Sequence, residues 1–181
     1  RYSRAGVGTG NGTFHEVQAQ DAWGHVTQQR RGGLITTTAD YHPTRGWIET
    51  LNTGAAQQWS YAFDVNGNLT QRNRGNGALV ETLSYDRLNR LTTIQRSGAA
   101  TTAQTSSQSY DKLGNVCGKG PNGAVQAYTY AGRSGCPGSG GQANARPHAV
   151  TAVGTTSYLY DATGLMIQAD APGTADDKHL S

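Results

Sequence analysis

The chain has 181 residues, a formal net charge of +3, nine Tyr and three Trp, but Leu, Ile, Val and Phe together number only 26. That share, about 14%, lies below the level of roughly 20% at which intrinsic disorder becomes a serious alternative. Disordered chains usually carry a high net charge and few aromatic residues, and this chain has neither property. The composition therefore favours a thin sheet with apolar side chains on one face and excludes an ordinary globular core.

Other classes of protein are excluded by the same composition. No stretch approaches the roughly 20 apolar residues of a membrane-spanning helix. Basic residues cluster only weakly, at 1–4, 30–31 and 72–74, whereas a nucleic-acid-binding surface is denser and interleaved with aromatic side chains. Gly is abundant, Glu and Lys are scarce, and no window keeps an apolar period of 3.6. We therefore predict an all-β fold with no membrane span and no nucleic-acid partner.

The predicted strands follow one another along the chain and are separated by turn residues. Their residues alternate between polar and apolar or are rich in Thr, Tyr and Trp, as is typical of strands. In chain order they cover residues 14–20, 26–30, 34–41, 47–51, 58–63, 79–85, 108–110 and 125–130. In the strand at 58–63 the aromatic side chains are expected to share one face, because alternate residues of a strand do so.

A short motif begins many of the turns: an aromatic residue, Asp, two variable residues and Gly. Clear copies stand at 63–67, 110–114 and 160–164, a copy with one substitution at 85–89, and degenerate copies at 21–27 and 41–48. Asp suits the first position of a type I turn, where its carboxylate accepts the backbone N–H two residues on. Gly supplies the positive φ that closes a hairpin with a bulge. Asn89, which replaces Gly in one copy, is the other residue type that tolerates positive φ.

The motif recurs at a nearly fixed interval. Its Gly-equivalent positions are 24, 46, 67, 89 and 114, and the next clear one is 164. Intervals of 21 to 25 residues hold two strands and two turns, so the repeated unit is a β-hairpin. One copy between 114 and 164 is missing or overwritten, and residues 131–133 stand where its turn is expected.

Tyr-Asp-x-x-Gly-Asn/Arg-Leu-Thr at this period resembles the YD repeat of the RHS family. That family includes bacterial Rhs and wall-associated polymorphic toxins, the B and C components of insecticidal toxin complexes, and animal teneurins. The resemblance covers about residues 14–168, and the segment at 146–153, which contains Pro-His-Ala-Val, adds to it. It implies that the hairpins form part of a spiralling β-shell around a cargo, typically a C-terminal toxin domain of an exported bacterial protein.

Under this resemblance the chain is a segment of the shell wall, secreted or at the cell surface. Its partners are then the rest of the parent protein and the toxin cargo. The Asp-Pro-x-Gly motif that marks self-cleavage in bacterial members is absent, so no cleavage site is assigned. Five parts are predicted: a turn-rich lead-in at 1–13, hairpin repeats at 14–131, a Gly-rich loop at 132–142, the last repeat at 143–168, and a truncated polar tail at 169–181. Because the chain starts in mid-pattern, we expect it to be a piece of a longer protein.

No pattern of a catalytic centre is present in the sequence. The best-patterned ionisable residues are Asp64, Asp86, Asp111 and Asp161, and a repeated turn explains a repeated acid better than a catalytic pair of carboxylates does. The five His are scattered, and no Ser lies in a nucleophile-elbow context. We therefore predict no catalytic residues, no cofactor and no metal, and hence no enzyme.

Cys117 and Cys136 flank the loosest part of the pattern. In an exported protein they could form a disulfide, and two unrelated free thiols are the default expectation. Neither has a second Cys or His at the spacing of a metal site.

An alternative function is a cell-surface binding module that recognises a glycan or a receptor, which the teneurin-like and wall-associated members of the family suggest. Exposed aromatic rings stack on sugars, and Trp23, Trp47 and Trp59 are the candidates for that role. Each of these rings has an alternative role in packing the sheet.

Overall fold

A computed structural model describes residues 14–32, 34–130, 136–137, 148–171 and 178–179. Every regular element in these ranges is a β-strand, which confirms the predicted all-β fold. The strands are β1 (His15–Gln20), β2 (Val26–Arg31), β3 (Ile35–Tyr41), β4 (Ile48–Thr53), β5 (Gln57–Phe63), β6 (Leu69–Arg74), β7 (Leu79–Tyr85), β8 (Leu91–Ser97), β9 (Gln104–Tyr110), β10 (Val116–Pro121), β11 (Gln126–Tyr130), β12 (Val150–Val153), β13 (Thr156–Tyr160), β14 (Met166–Asp170) and β15 (Lys178–His179). The predicted lead-in at 1–13 lies outside the described residues, as do most of the loop at 132–142 and most of the tail at 169–181.

The chain divides into two compact units. The first comprises Arg1–Tyr85 and Gln95–Ala103, and the second comprises Asp86–Ile94 and Gln104–Ser181. In the first unit, β1 to β7 pair antiparallel with their neighbours in chain order. In the second unit, β9 to β15 pair in the same way. The predicted array of antiparallel β-hairpins is therefore confirmed.

In the first unit the two faces of the sheet differ in chemistry. What we call the aromatic face carries Ala39, Leu51 and Trp59, which are direct cross-strand neighbours, together with Tyr61, Phe63, Leu83 and Tyr85. What we call the polar face carries Thr38, Asp40, Thr50, Asn52, Ser60 and Asn73, which are also linked by cross-strand pairing. The alternation in β5, where Trp59, Tyr61 and Phe63 are half-buried and Ser60 and Ala62 are exposed, confirms that its aromatic side chains share one face.

Burial on the aromatic face is shallow. Among the described residues, the buried hydrophobic ones are only Ala39, Tyr130 and Cys136, and no large side chain is fully buried. The rings are instead covered by neighbours within the same sheet, which is how a chain with few aliphatic residues can hold a fold. Nothing in the described part of the chain is a helix of the length and apolarity needed to cross a bilayer.

The missing repeat lies at β11 and β12. These strands pair antiparallel, with Tyr130 opposite Val150, and the chain between them replaces the short Asp turn of the other repeats. In this region Cys117 of β10 and Cys136 form a disulfide with a Cα–Cα distance of 5.0 Å. The expectation of two unrelated thiols is therefore wrong, because the fold brings together two cysteines that are 19 positions apart.

Candidate functional site

The most regular polar constellation in the chain is the Asp turn, which Asp64 shows in full. Its Oδ1 accepts the backbone N–H groups of Asn66 and Asn68 at 2.9 Å each, and its Oδ2 accepts the Asn68 side-chain amide at 2.8 Å. In the backbone, the Asp64 N–H donates to the Asn68 carbonyl at 2.9 Å and the Gly67 N–H to the Asp64 carbonyl at 3.2 Å. The carboxylate thus binds its own turn from inside, as a type I turn with a bulge allows.

The same arrangement recurs at Asp21, Asp86, Asp111 and Asp161. In each turn Oδ1 accepts the backbone N–H groups two and four residues on. The second carboxylate oxygen binds the side chain four residues on, which is His25, Arg90 or Asn115 in three of them. The sequence predicted that the Asp carboxylate accepts the N–H two residues later. It did not predict the contacts with the residue four positions later, although a polar residue follows most of the turn glycines and was a visible signal.

Hydrogen bonding lowers the pKa of four of these turn carboxylates, those of Asp21, Asp64, Asp86 and Asp161. For Asp64 the main cause is the side-chain amide of Asn68, and for Asp86 it is the backbone N–H of Arg90. For Asp161 it is the hydroxyl of Thr163. An ionised carboxylate that is held by hydrogen bonds suits a structural role. A general base, in contrast, needs a pKa near the working pH.

The glycines of the motif have the backbone conformation that the sequence predicted. Gly67 has φ +88° and Asn89, in the equivalent position, has φ +58°. The structure adds a second requirement at two of these positions, because a Cβ on Gly46 would lie 2.9 Å from His25, and one on Gly67 would lie 3.1 Å from Trp47. Each turn in this part of the sheet therefore packs against a ring from the preceding repeat.

The motif tyrosines form a ladder of hydrogen bonds that the sequence did not reveal. Each hydroxyl donates to the backbone carbonyl of the first residue of the preceding strand. The donor and acceptor pairs are Tyr85 with Leu69 (2.8 Å), Tyr110 with Leu91 (2.8 Å), Tyr130 with Val116 (2.9 Å), Tyr160 with Val150 (2.8 Å) and, more weakly, Tyr41 with Val26 (3.4 Å). Tyr130 makes this hydrogen bond although Ala131 replaces the Asp of the motif. The tyrosine therefore identifies a repeat more reliably than the turn does.

The three tryptophans named as glycan-stacking candidates lie in different surroundings. Trp23 is 64% exposed in the Asp21 turn. Trp47 packs on Phe63 with 5.3 Å between ring centroids and carries Arg45 over its ring. Trp59 stacks on Tyr61 at 6.3 Å, and two arginines lie over it. The ring that each tryptophan contacts is therefore a different one, and for Trp23 it is His25.

One of these tryptophans lines a small concavity. Its volume is about 250 Å³, and its lining residues are His42, Arg45, Trp47, Glu49, Tyr61, Ala62 and Phe63. Aromatic walls combined with a carboxylate and a guanidinium are a chemistry that can bind a small polar ligand.

A buried acid lies between two basic side chains on the aromatic face. Glu81 is 4% exposed and accepts hydrogen bonds from Arg72 of β6 and Arg96 of β8. Burial alone would raise the pKa of Glu81, but the two guanidinium groups lower it by more, so the carboxylate stays ionised. This cluster ties three strands together and has its charges paired within the sheet.

No metal centre is formed by the described residues, since they contain no group of three or more His, Cys, Asp or Glu side chains that could hold an ion. Cys117 and Cys136, bonded to one another, offer no thiolate to a metal.

The fold of this chain recurs in much larger proteins. The crystal structure of TcdB2-TccC3-Cdc42 matches it with a TM-score of 0.57 and 15% identity over 88% of this chain. A structure of the Photorhabdus luminescens Tc holotoxin pore matches with a TM-score of 0.57 and 14% identity over 91% of this chain. In each case the chain spans about a tenth of the matched chain (10%). The likeness defines the class of fold: an all-β hairpin array like that found in part of Tc toxin chains.

A scan against protein-family models finds no match to this chain. A search of curated proteins finds none either.

Proposed function

We propose that this chain is a wall segment of an RHS-like repeat shell that encloses a toxin or effector cargo in a larger, exported bacterial protein. The observation that carries the proposal is the hairpin array itself, whose YD-type motif recurs in register and whose fold matches part of Tc toxin chains. Its partners are then the rest of the parent protein and the enclosed cargo.

The proposed mechanism is mechanical. Within each unit consecutive strands pair antiparallel, so that backbone hydrogen bonds run from strand to strand. The Asp turns fix the ends of the hairpins, and the tyrosine ladder fixes each hairpin to its neighbour. Such a sheet separates two spaces with a single layer of polypeptide. It has no catalytic role, because its repeated acids are used in its turns.

Electron cryomicroscopy of the full product of the reading frame that encodes these residues tests the proposal. We expect a hollow shell with density inside it and with residues 15–170 in the wall. A solid, free-standing domain formed by these residues would contradict the proposal.

A second function is favoured by the concavity beside Trp47. Binding of a surface glycan there would use the aromatic walls, Trp47, Tyr61 and Phe63, for contact with the sugar ring and Glu49 for hydrogen bonds to hydroxyl groups. A glycan array probed with the 181-residue protein tests it.

On that array, Trp47→Ala is expected to abolish saturable binding. Trp23→Ala is the matched control and should leave binding intact, because Trp23 is 64% exposed and does not line this concavity. Equal binding by both variants would contradict a site at Trp47.

A further inference from the structure

The connection between β11 and β12 departs from the plan of the other repeats. Tyr130 occupies the motif position, and its hydroxyl donates to the Val116 carbonyl at 2.9 Å. The next residue is Ala131, so the carboxylate that holds the other turns is missing. Residues 131–149 connect the two strands, whereas the Asp64 turn closes within five residues, 64–68. A longer connection raises the entropic cost of bringing two strands together.

Two contacts made by described residues of this connection join it to the preceding repeat. Cys136, which is 4% exposed, is bonded to Cys117 of β10. His148 donates from Nδ1 to Asn115 Oδ1 at 2.6 Å, and the Asn115 amide donates to Asp111 Oδ2 at 2.8 Å. Both contacts reach the Asp111 turn or the strand that follows it, so the preceding repeat supplies the support that the missing turn does not.

The disulfide also encloses one of the shortest ladders in the second unit. β10 and β11 pair at two positions, Gly118 with Ala127 and Lys119 with Gln126, whereas β9 and β10 pair at five. Because all of β11 lies between the two cysteines, the bond restricts the unfolded chain at a place where the strand pairing is short. A cross-link of this kind stabilises mainly by limiting the unfolded state.

We propose that the Cys117–Cys136 disulfide is a redox-dependent cross-link that holds β11 between β10 and β12. We call these three paired strands the seam. In an oxidising environment it holds β11 in the sheet, and in a reducing one the pairing of β11 with its neighbours loosens while the first unit keeps its structure. The inference goes beyond the proposed wall function and does not depend on it.

The chemical step is a two-electron thiol–disulfide exchange with a dithiol. One thiolate of the dithiol attacks one sulfur of the bond and forms a mixed disulfide, and the other cysteine leaves as a thiolate. The second thiol of the reductant then displaces the remaining cysteine. Cys117 and Cys136 each end with one proton, and the dithiol becomes a disulfide.

The first test is whether the bond forms in the air-oxidised 181-residue protein. Tryptic digestion without reductant should yield the peptide 113–119 linked to the peptide that begins at residue 134, and dithiothreitol should separate them. Two free thiols in the oxidised protein would overturn the proposal.

Hydrogen exchange with mass spectrometry, with and without dithiothreitol, then tests the seam. Reduction should speed amide exchange on the order of tenfold or more in residues 116–130 and 150–153 and leave residues 35–63 unchanged. Unchanged exchange in the seam after confirmed reduction would overturn the proposal, and so would an equal rise in both units. The Cys117→Ser/Cys136→Ser variant should match the reduced protein and not respond to the dithiol. If that variant does not fold, the comparison of the native protein in its two redox states still decides the outcome.

Discussion

At the scale of single residues, the Asp and the Tyr of the motif make hydrogen bonds to different parts of the sheet. The Asp carboxylate holds its own turn, and the Tyr hydroxyl reaches across to the preceding strand. Phe63 is the copy without a hydroxyl, and in that repeat the ring packs on Trp47 instead. A YD pair therefore encodes one contact within a hairpin and one between strands, and the second can be replaced by aromatic packing.

The tyrosine ladder makes a prediction for stability. Tyr85→Phe keeps the ring but leaves the Leu69 carbonyl without the 2.8 Å hydrogen bond that it now accepts. We expect the free energy of unfolding to fall by about 1 to 2 kcal/mol, measured by urea denaturation.

Tyr41→Phe is the matched control for Tyr85→Phe. Its hydrogen bond to Val26 is 3.4 Å long, so its loss should cost clearly less. Equal losses in the two variants would mean that the hydroxyls contribute nothing specific.

The acidic turns predict how stability depends on pH. Hydrogen bonds lower the pKa of Asp64, Asp86 and Asp161 in the folded protein, and the arginines lower that of Glu81. A carboxylate with a lowered folded pKa contributes stability above its unfolded pKa of about 4, and this stability is lost as the pH falls through the folded pKa. We therefore expect the thermal midpoint to fall steeply below about pH 4.

Thermal melts of the native protein and of Asp64→Asn between pH 2 and pH 7 check this expectation. The variant should start from a lower midpoint at pH 7 and lose less on acidification, because it has one fewer group to protonate. A midpoint that does not depend on pH would contradict the role given to the carboxylates.

At the scale of the hairpin, the turn glycines combine two constraints. A positive φ strains any residue with a Cβ, and at Gly67 the Cβ would also meet the Trp47 ring at 3.1 Å. At Gly114, with φ +90°, nothing lies within 4 Å of that position. A comparison of Gly67 with Gly114 therefore separates the effect of backbone strain from the effect of close packing between successive repeats.

We therefore predict a larger loss for Gly67→Ala than for Gly114→Ala. Backbone strain alone should lower the free energy of unfolding by about 1 to 2 kcal/mol at Gly114. At Gly67 the clash adds about 1 kcal/mol or more. Urea denaturation measures both losses, and the double variant Trp47→Ala/Gly67→Ala should show coupling between the two sites. If the two losses in the free energy of unfolding simply add, the Trp47 ring moves away from the added methyl group without an energetic cost.

At the scale of the whole molecule, four of the exposed apolar side chains lie in or beside β1 and at the turn between β2 and β3. Phe14, Val17, Leu34 and Ile35 are 44% to 88% exposed, and among the described strands β1 pairs only with β2. An edge strand with exposed apolar residues invites pairing with another chain. In the proposed wall a neighbouring hairpin would cover it.

We predict that the isolated 181-residue protein associates through this edge. Light scattering after size-exclusion chromatography should show a mass above 19.1 kDa, and Val17→Lys should reduce it, because an added charge blocks edge pairing. Ser60→Lys, on an exposed position of the interior strand β5, is the matched control and should not reduce it. A monomeric native protein would favour an autonomous binding module over a wall segment.

The sequence by itself determined the hairpin array, its period, the turn chemistry of Asp64 and Asn89, and the shared face of the aromatic residues in β5. These features depend on neighbours within a few residues, for which local backbone sterics and side-chain alternation are sufficient. Only the tertiary structure decided that Cys117 meets Cys136, that Tyr130 completes the missing repeat, that Glu81 is buried between Arg72 and Arg96, and that Trp47 packs on Phe63. Each of these contacts depends on which strands become neighbours and in what register, because cross-strand pairing joins residues that the order of the chain separates.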